Sequence, residues 1–334
     1  MRRTGALTDV RGIEVGHAQD EEALTGCTVI LCRKGAVAGV DVRGGAPGTR
    51  ETDLLDPVNL VEKVHAIVLA GGSAFGLDAA SGVMHYLAEK KIGFDTGPAK
   101  VPIVPAAILY DLGLGRADVW PDTDMGYRAA ASASSAAPAE GNAGVGMGAS
   151  VGKMFGGRFS MKAGVGTAGI DIAKGVIVGA LVGVNAWGDV VDPQTGQVVA
   201  GLRAGTGHGR RVGKKAFFAD TLRMMKSMDR QPSPGSARRT STVIGVVATN
   251  AKLTKAQATK MAQMGHDGLA RAISPIHTPV DGDTVFALAT GAIDGGNLML
   301  AGSLAAEVTA DAVLRAVREA TGAAGIPAVR DLPR

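Results

Sequence analysis

Residues 228–250 read Met-Asp-Arg-Gln-Pro-Ser-Pro-Gly-Ser-Ala-Arg-Arg-Thr-Ser-Thr-Val-Ile-Gly-Val-Val-Ala-Thr-Asn and change character halfway along. The first half, Arg230 to Arg239, carries two prolines, a glycine and three arginines, which predicts a mobile, exposed loop. The second half, Val243 to Ala248, is apolar and rich in β-branched residues, which predicts a buried strand. The stretch therefore places a loop that can be cut directly before a core strand.

Three hydroxyl residues, Thr240, Ser241 and Thr242, lie where this loop meets the strand. A threonine that becomes a chain end carries a hydroxyl nucleophile and an α-amine on the same residue. A free α-amine has a pKa of about 7.7–8.0, so it can act as a general base near neutral pH. The ordinary alternative is that the three residues only begin a strand. The stretch alone leaves both interpretations open.

From the composition we expect a protein with a sizeable core and no nucleic-acid partner. The 334 residues allow one large domain or two ordinary ones, and 46% of them are hydrophobic. The net charge of +4, from 35 basic and 31 acidic residues, is too balanced to indicate nucleic acid. The basic run Arg203 to Lys215 lacks interleaved aromatic residues, so we interpret it as a solvated loop.

Two cysteines and the absence of long apolar runs indicate a cytoplasmic protein without a membrane partner. Cys27 and Cys32 are too few for a disulfide scaffold or a four-thiolate zinc site, so we expect reduced thiols. The first residues show no apolar core of a signal peptide. The longest apolar candidate, Gly175 to Ala186, is too short to span a bilayer.

The apolar and glycine patterns predict a mixed α and β chain. Strand-like runs between turns fill Val10 to Val42, and a strand at Ala66 to Ala70 precedes a glycine-rich turn and a helix to about Lys90. The turn lacks the phosphate-loop spacing, so we interpret Ser73 as a helix N-cap. Further elements are a helix within 126–137, a hairpin within 175–191 around Asn185 to Asp189, a helix opened by the capping box Thr254 to Gln257, and a closing helix from Leu298 to Thr321.

Two polar motifs could carry chemistry. Five glycines between Gly141 and Gly152 precede Lys153, which either ends a flexible solvated loop or holds an anion or tunes a nucleophile. Asp281 and Asp283 bracket one glycine before a strand, but the further oxygen ligands of a calcium loop are missing. We expect the loop 43–57 to be a surface turn and a histidine of the capped helix, at position 266, to be structural.

Several stretches in one order resemble a known family. They are Arg43 to Leu55, Leu69 to Gly76, Val104 to Asp111, the glycine loop to Lys153, Thr242 to Asn250, and Asp281 to Phe286. The chain resembles, over nearly its whole length, the P1 family of peptidases, which includes D-stereospecific L-aminopeptidases (D-esterases), β-peptidyl aminopeptidases and nylon-oligomer hydrolases. The resemblance implies one α+β domain over 1–334, a four-layer αββα sandwich similar to N-terminal nucleophile hydrolases. Its strand connectivity would be that of the L-aminopeptidase and ornithine acetyltransferase-like fold.

The resemblance also implies an inactive precursor that cuts itself. Aligning the strand that ends in Ala-Thr-Asn puts the family's nucleophile on Thr242, so the cut between Ser241 and Thr242 would give fragments 1–241 and 242–334. By the same matching, Lys153 falls on the family's active-site lysine and Asn185 on its oxyanion-hole asparagine. The remaining matches are Tyr110 on the active-site tyrosine and Asp281 and Asp283 on the acidic pair near the nucleophile. The chain departs from many relatives in having Ser241, not Asn or Gly, before the nucleophile.

The resemblance implies a hydrolase of small peptides, amino-acid amides, β-peptides or ω-amino-acid (nylon-type) oligomers that acts through an acyl-enzyme on Thr242. Threonine with Asp-Gly-Asp resembles the nylon-hydrolase branch more than the aminopeptidase branch, whose nucleophile is serine. Two alternatives stay open: an acyltransferase of the ornithine acetyltransferase type, and an unprocessed protein without catalysis. The mechanism needs no cofactor or metal, and the family resemblance implies a homo-oligomer, a tetramer.

Overall fold

The computed structural model describes residues 2–3 (backbone only), 5–172, 175–204, 217–228, 241–294 and 297–332. The predicted loop Arg230 to Arg239 and residues 205–215 of the predicted basic loop lie outside these ranges. The strands are β1 Arg2–Arg3, β2 Glu14–Asp20, β3 Thr25–Val42, β4 Thr49–Arg50, β5 Lys63–Ala70, β6 Phe94–Asp95, β7 Lys100–Val101, β8 Ala106–Ile108, β9 Ser150–Val151, β10 Met161–Lys162, β11 Val165–Asp171, β12 Ile177–Asn185, β13 Asp189–Val191, β14 Val198–Ala200, β15 Thr242–Ala251, β16 Ile273–Ser274 and β17 Thr284–Ile293. The helices are α1 Ala79–Glu89, α2 Thr123–Ala131, α3 Thr221–Ser227, α4 Lys255–Ala272 and α5 Leu298–Arg318.

The long strand β3 joins the two halves of the main sheet. The strand order is β1-β11-β12-β15-β17-β3-β5-β8-β4, with β2 also paired to β3. The first part of β3 pairs with β2 and β5, and its last part pairs with β17. The pairing of β3 with β5 shifts register between Leu31 and Ala36. Because β3 serves both halves, the sheet folds over into two layers that face each other.

Apolar side chains fill the space between the two sheet layers and the space under the helices. Ile30 and Ile67 meet Leu181, Val246 and Phe286 in the cluster between the layers. The helices α4 and α5 cover the outer face of β11, β12, β15 and β17. On the other side α1 and α2 cover β2, the first part of β3 and β5. The resulting helix–sheet–sheet–helix stack confirms the predicted four-layer αββα sandwich.

The strand β15 lies in the middle of the main sheet, antiparallel to β12 and parallel to β17. All ten of its residues are buried, so the prediction of a core strand at Val243 to Ala248 is confirmed and the strand is longer at both ends. The predicted capping box is confirmed as well, because Thr254 Oγ1 accepts from Gln257 N and Gln257 Oε1 accepts from Thr254 N. This cap starts α4, which carries the chain from β15 towards β17.

The predicted hairpin within 175–191 is wrong. The strand β12 pairs with β11 and β15, whereas β13 belongs to a separate sheet with β14 and β16. The chain leaves the main sheet after Asn185, because the next backbone carbonyls accept hydrogen bonds from the glycine loop and not from a neighbouring strand of that sheet. Gly152 N donates to Gly188 O and Lys153 N to Trp187 O, each at 3.0 Å.

For the first pair of helices, the predicted N-cap is wrong and the second helix is confirmed with different bounds. Ser73 makes no N-cap hydrogen bond, since its backbone is left-handed (φ 55°) at the start of a 3-10 turn and α1 begins only at Ala79. The helix predicted within 126–137 is α2, which starts earlier because the Asp122 carboxylate accepts from Met125 N at 2.9 Å. It ends earlier because Ser134 pairs by backbone with β2.

No helix in the described ranges has both the length and the apolar character needed to cross a bilayer.

Candidate active site

The Ser241–Thr242 bond lies at the buried start of β15. Ser241 and Thr242 are 3% and 4% exposed. The Thr242 hydroxyl donates to the carbonyl oxygen of Ser241 at 2.5 Å. The backbone N–H of Gly282 donates to the same oxygen at 3.1 Å. The Thr242 hydroxyl and a backbone N–H therefore converge on one peptide carbonyl oxygen.

Asn185, the last residue of β12, lies directly opposite Thr242 in the antiparallel pairing with β15. Directly opposed residues put their side chains on the same face of a sheet. The Asn185 side chain is fully buried, and its Nδ2 donates to Tyr110 O at 2.8 Å. Its Oδ1 accepts from Ser150 N at 3.1 Å and from Lys153 Nζ. The amide is thus held in one orientation beside the threonine.

The glycine loop before Lys153 is packed rather than loose, so the flexible-loop alternative is wrong. At Gly152, φ is 75°, and a Cβ there would lie 2.0 Å from Leu202 N. The Lys153 ammonium also donates to Asn185 O at 3.3 Å. Burial lowers the pKa of Lys153 to about 7, although the charges of Asp281 and Asp111 act against this shift. The lysine can therefore lose its proton near neutral pH.

The two carboxylates of the Asp-Gly-Asp turn are buried on either side of Gly282. Asp283 Oδ1 accepts from Val243 N at 2.7 Å, so it holds the residue that follows the threonine. Asp281 Oδ2 accepts from Thr278 N at 3.0 Å and from Thr278 Oγ1 at 2.5 Å. Burial, and then the charge of Asp283, raises the pKa of Asp281 to about 6.

Tyr110 reaches the site through its backbone, since its carbonyl oxygen accepts from Asn185 Nδ2 at 2.8 Å. The next residue, Asp111, lies behind it and accepts from Gly72 N at 2.7 Å and from Thr25 Oγ1 at 2.8 Å. Burial raises the pKa of Asp111 to about 6. The sequence offers no sign of this third buried carboxylate beyond its place in a matched stretch.

The loop that follows β3 lies at the surface, as expected, but its first residues also hold the site. Arg43 N donates to Asp283 O at 3.0 Å, and Ala46 N donates to Asp281 O at 2.8 Å. These bonds hold the Asp-Gly-Asp turn against the loop that follows β3. A Cβ on Gly282 would lie 2.5 Å from Ala46 O and 2.8 Å from Thr242 Oγ1. A side chain at position 282 would therefore collide with both atoms, so this position requires a glycine.

Two residues of the site were missed from the sequence. Gly282 was visible only as the spacer between two carboxylates. His277 donates to Asp283 Oδ2 from its ring Nδ1 at 2.8 Å and from its backbone N at 3.1 Å. Nothing in the local pattern sets His277 apart from a turn residue. His266 is structural as predicted, since it is buried and its Nε2 donates to Asp41 O at 2.9 Å.

Comparison with known proteins gives a match along the whole chain. The family model described as Peptidase family S58 matches residues 5–330. A Mycobacterium bovis protein named an uncharacterized aminopeptidase is 45% identical over 352 positions, covering 98% of this chain and 97% of the relative. The 6-aminohexanoate-oligomer endohydrolase of a Kocuria species is 33% identical, covering 95% of this chain and 88% of the relative.

A solved structure supports the architecture. The L-aminopeptidase D-Ala-esterase/amidase from Ochrobactrum anthropi, described as a variant of the N-terminal nucleophile hydrolase fold, superposes with a TM-score of 0.66. It covers 95% of this chain and 86% of its own, at 19% identity. The two chains share the fold.

Proposed function

The chain belongs to peptidase family S58, a family of peptide- and amide-bond hydrolases, and from this premise we propose that it matures by cutting its own Ser241–Thr242 bond. Thr242 then acts as the nucleophile of an amide hydrolase. The observation that carries the proposal is the convergence of the Thr242 hydroxyl and the Gly282 N–H on the carbonyl oxygen of Ser241. The products are fragments 1–241 and 242–334.

Self-cleavage proceeds as an N-to-O acyl shift followed by hydrolysis. The Thr242 oxygen forms a bond to the carbonyl carbon of Ser241, and the Ser241–Thr242 C–N bond breaks. The hydroxyl proton ends on the departing Thr242 nitrogen, which becomes an amine. Water then hydrolyses the ester and leaves a carboxylate on Ser241 and a free hydroxyl on Thr242. The Gly282 N–H is aimed at the oxygen that becomes negative in the first step.

Lys153 is the group proposed to accept the hydroxyl proton in the precursor. The α-amine of Thr242 does not exist before the cut, so another base must serve for that step. The pKa of Lys153 is lowered to about 7 by burial, which makes a neutral amine available at physiological pH. Its hydrogen bonds to Asn185, the residue opposite Thr242, keep the amine in the vicinity of the hydroxyl.

In the mature enzyme the Thr242 amine is the base for its own hydroxyl. The hydroxyl attacks the substrate amide carbonyl, the amine takes the proton and returns it to the leaving amine, and water hydrolyses the acyl-enzyme. We assign oxyanion donation to the Gly282 N–H, the Asn185 side chain and the Tyr110 hydroxyl. One such donor is worth about 3–4 kcal/mol in the transition state. With a pKa of about 7, part of Lys153 is still protonated at neutral pH, and that positive charge disfavours protonation of the Thr242 amine.

The relatives support a substrate class but not one substrate. The names aminopeptidase and 6-aminohexanoate-oligomer endohydrolase point to small peptides, amino-acid amides, β-peptides or ω-amino-acid oligomers. In this assignment Asp281 and Asp283 orient the new chain end, because Asp283 already holds the N–H of Val243. The predicted homo-oligomer, a tetramer, and the predicted cytoplasmic location stay predictions.

The test is a denaturing gel of the purified protein, followed by N-terminal sequencing of the smaller band. We expect two bands, and the small fragment should begin Thr242-Val243-Ile244-Gly245. The cut protein should release ammonia or amine from an L-aminoacyl amide, a β-dipeptide or a 6-aminohexanoate oligomer. Active protein that remains a single chain contradicts the proposal. A transfer product formed with an added amine, in place of hydrolysis, would favour the acyltransferase alternative.

A further inference from the structure

We infer that His277 is a positioning residue of this site, which fixes Asp283 so that the backbone after the nucleophile stays in place when the Ser241–Thr242 bond opens. The inference rests on the proposed function and extends it to a residue outside the matched motifs. It concerns both self-cleavage and turnover, because both need Thr242 at one position.

The two oxygens of Asp283 connect His277 to the nucleophile strand. Asp283 Oδ1 accepts from Val243 N at 2.7 Å. Asp283 Oδ2 accepts from His277 twice, from the ring Nδ1 at 2.8 Å and from the backbone N at 3.1 Å. Asp283 is fully buried, so these bonds form without competition from bulk water and fix the carboxylate in one rotamer. Loss of the ring bond would free the carboxylate to turn away from Val243.

The cut makes this connection more important. Thr242 is the first residue of β15, and after cleavage it becomes a chain terminus. The first residues of a chain are loosely held unless another group ties them down. The hydrogen bond from Val243 N to Asp283 ties down the residue next to the terminus. A misplacement of about 1 Å at a reacting group can cost about 100-fold in rate.

The other side of the His277 ring is held as well. It meets the ring of His266 edge to face, with centroids 4.7 Å apart and an angle of 73°. Burial lowers the pKa of His266 to about 4, so His266 is neutral at physiological pH, and it is anchored to Asp41 O. Arg43 pairs with the Asp41 carboxylate. The imidazole of His277 is therefore fixed between Asp283 and a neutral, anchored ring.

The backbone of His277 also fits a positioning role. Its φ is 56°, in the left-handed region that costs a non-glycine residue conformational energy. In this conformation the ring nitrogen and the backbone N–H both point at the same oxygen of Asp283. Asparagine tolerates the left-handed region and carries an N–H at nearly the position of Nδ1. Glutamine places its amide farther out, at the level of Nε2.

This difference sets the experiment. His277→Asn, His277→Gln and His277→Ala are compared with the wild type for the rate at which fragments appear and for kcat and KM of the mature enzyme. We expect His277→Gln and His277→Ala to lower the cleavage rate and kcat by about 10- to 100-fold, the usual effect of losing a supporting hydrogen bond. KM should stay within about threefold, because a positioning residue acts on the nucleophile and not on substrate binding. His277→Asn should recover rates to within about threefold of the wild type.

Lys91→Ala controls for the effect of placing alanine at a positive φ, since Lys91 is exposed and has a φ of 57°. It should cleave and turn over like the wild type. If His277→Ala does not fold, the comparison of the Asn and Gln variants decides. If the Asn and Gln variants have equal rates, whether high or low, the inference is overturned. The proposed function still stands in that case, provided that the wild type is cut. A wild type that is never cut overturns the proposed function and the inference together.

Discussion

Asn185 lies directly opposite Thr242 across the antiparallel pair β12 and β15, with its side chain already bonded to Lys153 and to the backbone of Tyr110. The strand pairing thus brings together residues that are far apart in the sequence. Sheet register fixes their separation more tightly than a loop would. The first four predictions below follow from this arrangement and from the Asp-Gly-Asp turn that packs against it.

Replacement of the threonine hydroxyl should stop maturation. Thr242→Ala removes the atom that lies 2.5 Å from the Ser241 carbonyl oxygen, so we expect one uncut chain and a loss of hydrolysis by about 10⁴-fold or more. Thr242→Ser keeps a hydroxyl and is the matched control, which should still give two bands. A gel of both purified variants measures this, and a cut Thr242→Ala chain would disprove the assignment of the nucleophile.

Self-cleavage should accelerate with rising pH. Lys153 must be neutral to accept a proton, and burial lowers its pKa to about 7. The neutral fraction of such a group grows about tenfold between pH 6 and pH 8, so the cleavage rate should rise by a similar factor. Protonation of Asp281, whose pKa is raised to about 6 by burial and by Asp283, would deepen the loss on the acid side. A time course of band appearance across this range checks the profile. A flat profile in the wild type would exclude Lys153 as the base.

Asn185→Asp should move the pH profile of the self-cleavage rate to higher pH. The substituted carboxylate would lie against the Lys153 ammonium, and a nearby negative charge favours the protonated amine, so the pKa of Lys153 should rise. The carboxylate also cannot donate to Tyr110 O, which should lower the maximum rate. Asn185→Ala, which lacks the added charge, serves as the comparison. An unshifted midpoint in the Asp variant would argue against coupling between the two side chains.

Gly282→Ala should slow maturation without unfolding the protein. The added methyl group would lie 2.8 Å from Thr242 Oγ1 and 2.5 Å from Ala46 O, and overpacking of this kind costs about 1–3 kcal/mol. Displacement of the turn also moves the N–H that reaches Ser241 O, so the cleavage rate should fall by about 100- to 1,000-fold. Gly157→Ala is the control, because Gly157 is exposed and a Cβ there meets nothing within 4 Å. Cleavage at the wild-type rate in Gly282→Ala would contradict the role of this N–H.

Local sequence predicted the elements that local chemistry determines. The apolar, β-branched run at Val243 to Ala248 is buried as a strand in the middle of a sheet. The capping box of Thr254 marks the start of α4 through its own side-chain hydrogen bonds. The layered fold was implied by the family resemblance. The candidate residues were named by the same resemblance, and the structure brings Asn185, Lys153 and the acidic pair to the start of β15.

The errors arose where long-range contacts decide the conformation. Strand partners are chosen by the whole sheet, so two adjacent apolar runs around Asn185 looked like a hairpin although the chain changes sheets there. The glycines before Lys153 looked flexible in isolation, but neighbouring backbones pack against them. His277 and Gly282 matter because of what the fold places next to them, namely Asp283 and Ser241 O. No spacing rule within the sequence encodes those contacts.

The place of β15 and β17 in the sheet has a consequence for the mature molecule. Both strands come from the piece that begins at Thr242, yet they lie between β12 and β3 of the other piece, and α5 packs over β11 and β12. If the Ser241–Thr242 bond is cut as we propose, the two polypeptides form an obligate heterodimer with a single shared interior. Folding of the precursor is unimolecular, whereas renaturation of the separated pieces would be bimolecular. A denatured mature enzyme should therefore recover in a manner that depends on concentration.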